Sequence, residues 1–368
     1  MPITLDGSNG ITTPMYNGSI TANAVTPSVN MKNRIINGAM VIDQRNAGAS
    51  VSSGFTVDRW NTSYSVASKF TAQQNAGSVT PPAGFTNYLG ITSSSAYTVG
   101  AGENFAIQQP IEGYNVADLG WGTANAKTIT LSFQVRSSLI GTFGGAILNS
   151  AQNRSYPFSY TISSANTWTS ISVTIAGDTS GTWLTTNGVG MYVFFGLGVG
   201  STYSGTAGSW AGTAYYSSTG ATSVVGANGA TFYITGVQLE VGSTATSFDY
   251  RPYGTELQLC QRYCQVFKSQ SAYSFYGIGF NEGTTASDGT IVLKVTMRTA
   301  PSATFTAGST FRSYSTQGYA ATNIGLISGA MAEQVGVQLT ISGATAGYGC
   351  LIQDGGSNNS SMTFTAEL

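Results

Sequence analysis

Histidine is absent from all 368 residues, and charged side chains make up 8% of the chain, against roughly a quarter in an ordinary soluble domain. Without imidazole there is no Ser-His-Asp or Cys-His machinery and no histidine metal site, so a large class of enzymes drops out. The 14 Lys and Arg are scattered and the net charge is −1, which leaves no basic footprint for displacing counterions from nucleic-acid phosphates. Three cysteines are too few for a disulfide framework and fit a reducing compartment. Hydrophobic runs are short. Even Val189 to Leu197 is interrupted by glycine and falls far below the roughly 20 residues of a membrane helix, so no membrane insertion is expected. Met1 to Asp6 has neither a basic nor an apolar region, and the expectation is a protein made in the cytoplasm without a signal peptide.

Glycine, by contrast, is abundant at 47 residues, and hydrophobic residues at 41% are enough for real cores. A surface solvated by Ser, Thr, Asn and backbone suits packing against protein, or hydrogen bonding to sugar, better than it suits acid-base catalysis. These features predict a structural and recognition protein with no cofactor rather than an enzyme.

Along the chain the dominant signal has a period of two. In Lys127 to Arg136, Ile129, Leu131, Phe133 and Val135 share one face; Ile171, Val173 and Ile175 repeat the pattern, as do Val189, Met191, Val193 and Phe195. Such alternation reads as half-buried strands of an antiparallel sandwich over residues 33–250. Between Phe232 and Val241 the apolar phase slips, and a bulge at Thr235-Gly236 would return Phe232, Ile234, Val237, Leu239 and Val241 to one core face. Residues 1–32 lack periodicity, carry the turn dipeptides Asp6-Gly7 and Asn17-Gly18, and read as an arm that orders by docking on a neighbour.

A helix is expected over residues 251–268, with Thr255 and Gln258 spaced as a capping box and Leu257, Cys260, Cys264 and Phe267 at steps of three and four. Leu259, Tyr263 and Val266 widen its apolar arc, as suits a buried connector. Cys260 and Cys264 could supply two zinc ligands, but only Cys350 remains, so no metal is expected and the thiols read as small buried groups. Over residues 269–368, Ile291, Leu293, Val295 and Met297 alternate, then Val335, Val337, Leu339 and Ile341, giving a second, smaller β-sandwich. The predicted fold class is thus all-β, two antiparallel sandwiches joined by an α-helix.

Chemistry has few places to reside. Asp58, Glu103, Glu112, Asp118, Asp178 and Glu240 are candidate glycosidase acids only because two carboxylates suffice for that reaction. Asp58-Arg59-Trp60 predicts a buried ion pair beneath an aromatic ring. The stretch from Gly196 to Ala230 keeps Tyr203, Trp210, Tyr215 and Tyr216 among Gly, Ser and Thr, so it is an ordered loop rather than a linker. Those rings either pin the loop to the sheet or, in the case of Trp210, Tyr215 and Tyr216 with Tyr314 and Tyr319 farther on, stack on a carbohydrate.

Several segments carry a resemblance. Asn33-Arg34-Ile35-Ile36-Asn37-Gly38-Ala39-Met40-Val41-Ile42-Asp43-Gln44-Arg45, Asp58-Arg59-Trp60, Phe232 to Gly242, and Phe248 to Tyr263 with its specific run Arg251-Pro252-Tyr253-Gly254-Thr255-Glu256 closely resemble parts of tailed-bacteriophage virion proteins, tail fibres and related appendages. Leu5-Asp6-Gly7-Ser8-Asn9-Gly10-Ile11-Thr12 looks like the opening of such fibres. The resemblance implies a jelly roll like that of carbohydrate-binding modules, with the Asn37-Gly38 segment beside the Val237-Gln238-Leu239-Glu240 strand. It also implies a homotrimer attached to other virion proteins through residues 1–32, contact with host surface polysaccharide, and location on the virion. Ala39-Met40-Val41 follow Asn37-Gly38 where an acidic residue often stands near a calcium site, which speaks against calcium. The alternative is a capsid-decorating or tail-collar protein that binds only other virion proteins.

Overall fold

The computed structural model describes residues 4–6, 10–12, 31–327 and 329–368. Of the expected arm, β1 (Thr4–Asp6) and β2 (Gly10–Thr12) form an antiparallel pair; the rest, up to residue 30, and the docking role lie outside the described residues.

The larger sandwich is built from β3 (Asn61–Tyr64), β4 (Phe70–Gln74), β5 (Leu89–Ser93), β6 (Asn104–Glu112) and β7 (Ile129–Ser137). It continues with β8 (Gly141–Asn149), β9 (Ser155–Ile162), β10 (Thr169–Ile175) and β11 (Val189–Val199); the short β12 (Ser204–Gly205) and β13 (Ser217–Ser218) precede β14 (Thr231–Val241). One sheet runs β10-β7-β14-β5-β4 and the other β3-β6-β11-β8-β9, every neighbour antiparallel. Their facing sides bury Trp60, Ile107, Leu131, Phe133, Phe158, Val193 and Phe195 in one core. The period-two pattern of β7 and β11 thus supplies one wall each.

β14 carries the bulge that its phase slip implies. Register with β7 shifts between Thr235 and Gln238, Gly236 adopts a φ of 61°, and Phe232, Ile234, Val237 and Leu239 are all buried. Val241, expected with them, lies at the strand end and is 42% exposed. The opening segment runs beside β14: the Arg34 N–H donates to the Leu239 carbonyl and the Val237 N–H to that of Gly38.

The helix is shorter than its periodicity suggests. α1 spans Tyr253–Gln261 with Pro252 at its N-cap and no side-chain cap, so Thr255 does not close a capping box. The next residues, β15 (Cys264–Lys268), pair with the last strand of the chain, which is why Cys264, Val266 and Phe267 leave the helix. The remaining strands are β16 (Phe275–Asn281), β17 (Ala286–Val292), β18 (Ser302–Phe305), β19 (Phe311–Tyr314), β20 (Gly318–Ala320) and β21 (Asn323–Leu326). β22 (Gln334–Thr340), β23 (Gly349–Asp354) and β24 (Ser361–Thr365) complete them. A three-stranded sheet, β15-β24-β18, packs on a seven-stranded one, β20-β19-β23-β16-β17-β22-β21, over a core of Ile291, Phe311, Val337, Ile352, Met362 and Phe364.

A small third core of Ile36, Ile42, Cys260 and Tyr263, with Leu368 against it, joins the opening segment, the helix and the end of the chain. Beside it Arg59 is fully buried, but its partner is Glu367 rather than Asp58, and its guanidinium lies 3.6 Å from the Tyr263 ring centroid. Asp58 instead accepts hydrogen bonds from the backbone and side chain of Gln44. Arg262 clamps Glu112 with two bonds of 2.8 and 2.6 Å, and the Tyr263 hydroxyl donates to the same carboxylate at 2.6 Å. Burial alone would raise the Glu112 pKa, but the Arg262 and Tyr263 hydrogen bonds and the Arg262 charge outweigh it and hold the carboxyl below its ordinary value.

Replacing Gly236 by Ala places a Cβ 2.5 Å from Phe85 Cζ at a left-handed backbone position. The expected cost is roughly 1–3 kcal/mol, read as a lower urea midpoint with unchanged slope.

Candidate functional site on the C-terminal sandwich

Three of the rings proposed for sugar contact are engaged in packing. Trp210 donates its indole N–H to the Ala176 carbonyl at 2.9 Å and packs edge-on against Trp121, Trp183 and Tyr156. Tyr216 lies 4.9 Å from Phe194 and 5.0 Å from Tyr203, with its hydroxyl on Gln152. Tyr215 covers Gly205, where any Cβ would stand 2.2 Å from its ring. The loop is therefore a lid over the outer face of the β11 sheet, because Ala146, Leu148 and Phe194 give that face an apolar surface needing cover. Tyr319 is 7% exposed and belongs to the second core, so its face is closed to a ligand as well. Of the five, Tyr314 alone is open, at 39%.

On the β10-β7-β14 sheet a shallow groove of about 400 Å³ has Ser132, Gln134, Ser170 and Ser172 on its floor. Phe85, Phe248 and Tyr250 pack together as one wall, with centroids 4.9 to 5.6 Å apart. It is a neutral, hydroxyl-rich surface.

The more developed site lies on the C-terminal sandwich. β16 inverts the usual arrangement: Gly277 and Gly279 face inward while Phe275, Ile278 and Phe280 face solvent, at 72%, 70% and 50% exposure. Neighbouring strands fill the vacated volume. A Cβ on Gly277 would meet Ile291 Cδ1 at 2.7 Å, and one on Gly289 would meet Ile352 Cγ1 at 2.5 Å. Register then sets Tyr314, Leu351 and Ile278 in one row across the outer face. Exposed rings and aliphatics at this density mark an interaction surface.

Where β15 ends and β16 begins, Gln270, Ser271, Tyr273 and Ser274 border a cleft of about 650 Å³. Phe267, Tyr273, Phe275 and Tyr276 give it aromatic walls, and Lys268, Gln270, Ser271 and Lys294 give it donors. Tyr273 is held in place from three sides. Its φ of 65° is left-handed, the Arg312 guanidinium stacks 3.9 Å from its centroid, and Gly356 lets its ring approach to where a Cβ would stand 2.6 Å away. A large residue in that backbone region persists only when its surroundings over-determine it. Behind it, Asp354 accepts the N–H groups of Gly356, Asn358 and Ser360 and the Ser360 hydroxyl at 2.6 Å, and Tyr276 bonds to Ser360 as well. Burial would raise the Asp354 pKa, but the Ser360 hydroxyl and the three N–H donors hold it well below the usual carboxylate range. Burial also lowers the Lys294 pKa; its amine sits 4.5 Å from the Phe267 centroid and donates to the Val266 carbonyl at 3.0 Å.

The candidate acids are all tied down elsewhere. Glu112 is held by Arg262, Asp178 by Arg154, Asp118 by Arg34, Asp58 by Gln44, Glu103 by Tyr97, and Glu240 by Gln238 and Thr246. Glu282 and Asp288 share the Gln338 amide on the open sheet face. No group of three or more potential metal ligands occurs among the described residues, and Cys260, Cys264 and Cys350 are buried free thiols. For Cys260 and Cys264 burial pushes the thiol pKa up, the latter to about 12, which keeps both protonated and inert.

Sequence reading missed Phe275, Tyr273 and both lysines of the cleft. The signal available was the alternation Gly277-Ile278-Gly279-Phe280, a strand with nothing to bury on one of its faces.

No protein-family model matches the chain, and no curated protein matches it. Among solved structures it is similar to the enzymatically active domain of tailspike protein 4 of bacteriophage CBA120, at 12% identity over 57% of this chain and 22% of that one, with a TM-score of 0.33. A family 11 carbohydrate-binding module from Clostridium thermocellum, bound to a β-1,3-1,4-mixed-linked tetrasaccharide, is similar at 11% identity over 54% of this chain and 96% of that one, with a TM-score of 0.28. A family 61 module in complex with β-1,4-galactotriose is similar at 9% identity, 57% and 99% coverage, and a TM-score of 0.29. The chain thus spans about a fifth of the tailspike domain and nearly all of either module.

Because the Asp354 pKa is depressed by folding, its stabilisation is complete above the ordinary value of 3.8 and is lost as pH falls through the lower folded value. The Asp354→Asn variant is expected to melt lower than wild type at pH 7 and to converge with it under strong acid. Thermal melts at a series of pH values check this.

Proposed function

We propose that this chain is a structural protein of a bacteriophage particle, a tail fibre or similar appendage, whose C-terminal sandwich contacts a host surface glycan without cleaving it. The held ring of Tyr273, backed by Arg312 at the rim of an aromatic cleft, is the observation that carries the glycan reading. Sugar rings present C–H faces to aromatics and hydroxyls to amides and hydroxyls, so Tyr273 and Phe275 with Gln270, Ser271 and Ser274 suit such a ligand. Little charge is required.

The virion half of the reading is supported by the segments around Asn33–Arg45 and Arg251–Glu256, whose resemblance is to phage appendage proteins. In that role residues 1–32 attach to other virion proteins, and three copies assemble on the particle. The non-catalytic half is supported by the engagement of six candidate acids in structural bonds.

One observation favours a second reading. Ile278 and Val292 are each 70% exposed on the outer sheet face, and aliphatic side chains suit protein better than sugar. A capsid-decorating or tail-collar role, binding only virion proteins, would cover that face.

Retention on purified host surface polysaccharide separates the two. Tyr273→Ala and Phe275→Ala are expected to weaken it by roughly five- to tenfold each, the worth of a stacked ring, with little change in melting temperature. No retention of the wild type favours the virion-only role, and retention unchanged in both variants would place glycan contact outside this cleft. Reducing ends released from the polysaccharide would overturn the non-catalytic reading.

A further inference from the structure

We propose that the cleft between β15 and β16 selects sugars that carry an anionic group, an inference that rests on the glycan-binding reading above. Two of the chain's five lysines, Lys268 and Lys294, line this cleft, and no Asp or Glu lines it. Neither amine lies within ion-pair distance of a carboxylate among the described residues. Arg312, behind Tyr273, bonds to the neutral Gln353 and is also without an acid.

Six of the chain's nine arginines are placed differently. Arg34, Arg45, Arg59, Arg154, Arg251 and Arg262 each hold a carboxylate. An ammonium has three donors, and Lys294 spends one on the Val266 carbonyl while its charge rests on the Phe267 ring. Lys294 is an exposed residue whose amine, set on the Phe267 ring with no counter-charge, has its pKa lowered by partial desolvation. An anion entering the cleft would remove that penalty and engage the remaining donors. The aromatic walls would grip the sugar face, and the two amines would read its carboxylate or phosphate.

The test uses the full chain, immobilised, against polygalacturonate, colominic acid and their carboxyl-reduced neutral counterparts, with poly(glycerol phosphate) teichoic acid as the phosphate arm. At least one anionic polymer is expected to bind, with affinity that falls as salt rises. Where the bound polymer is a carboxylated one, its neutral counterpart should bind about tenfold more weakly, the worth of one charge-assisted hydrogen bond, and the Lys268→Gln/Lys294→Gln variant should lose about as much for any anionic polymer bound. Lys268→Gln alone, at an exposed amine, guards against a folding defect and should show part of the loss. Binding of teichoic acid only, sensitive to the same variants, supports the proposal with phosphate as the anion. Neutral counterparts that bind as tightly as the acids, with no effect of the lysine variants, would overturn the selectivity and leave glycan binding standing. Absence of binding to every polymer would overturn both.

Discussion

A guanidinium shut off from the surface lies where the parts of this chain meet. Arg59 is 1% exposed, sits in a left-handed backbone conformation with φ 72°, and has its charge divided among Glu367, the Pro110 carbonyl and the face of Tyr263. Burial lowers its pKa to about 10, so it remains charged at neutral pH and must keep those partners. The partners come from β6, from the turn after α1 and from the end of the chain. Arg298 adds a second tie, reaching the carbonyls of Asn187, Ala366 and Glu367. Folding of the second sandwich is thereby linked to completion of the first.

The same economy explains the weakly charged surface. Asp58, Arg59, Glu112, Asp178, Glu240, Glu256 and Asp354 are buried, so seven of the 29 charged side chains are used inside. Glu256, for example, accepts the Asn37 N–H and pairs with Arg251, fastening α1 to the opening segment. Outside, hydroxyls, amides and rings remain. Among what remains are the two lysines of the C-terminal cleft, which no Asp or Glu lines, and the row of outward rings on β16.

Much of the fold was legible because strand alternation is a local property. β7, β11 and β22 place their alternating residues on core faces, and the slip at Thr235-Gly236 announced its bulge. Features set by distant partners were not legible. Residues 264–267 continue the helical spacing of Leu257 and Cys260, yet they pair with β24 about a hundred residues later, and a backbone ladder outweighs a periodicity. Arg59 was read with its neighbour Asp58, whereas its partner stands 308 positions away. The site suffered most. Exposed aromatics cannot be told from packed ones by type, and Trp210 and Tyr216 cover the sheet while Tyr273 and Phe275 stay open to solvent.

The claim that a buried ionic junction makes the two sandwiches one cooperative body is tested most directly by calorimetry of the intact chain. The account predicts a single unfolding transition with equal calorimetric and van't Hoff enthalpies, and its separation into two when Glu367→Gln leaves Arg59 without its carboxylate. A wild-type chain that melts in two resolved transitions would contradict it.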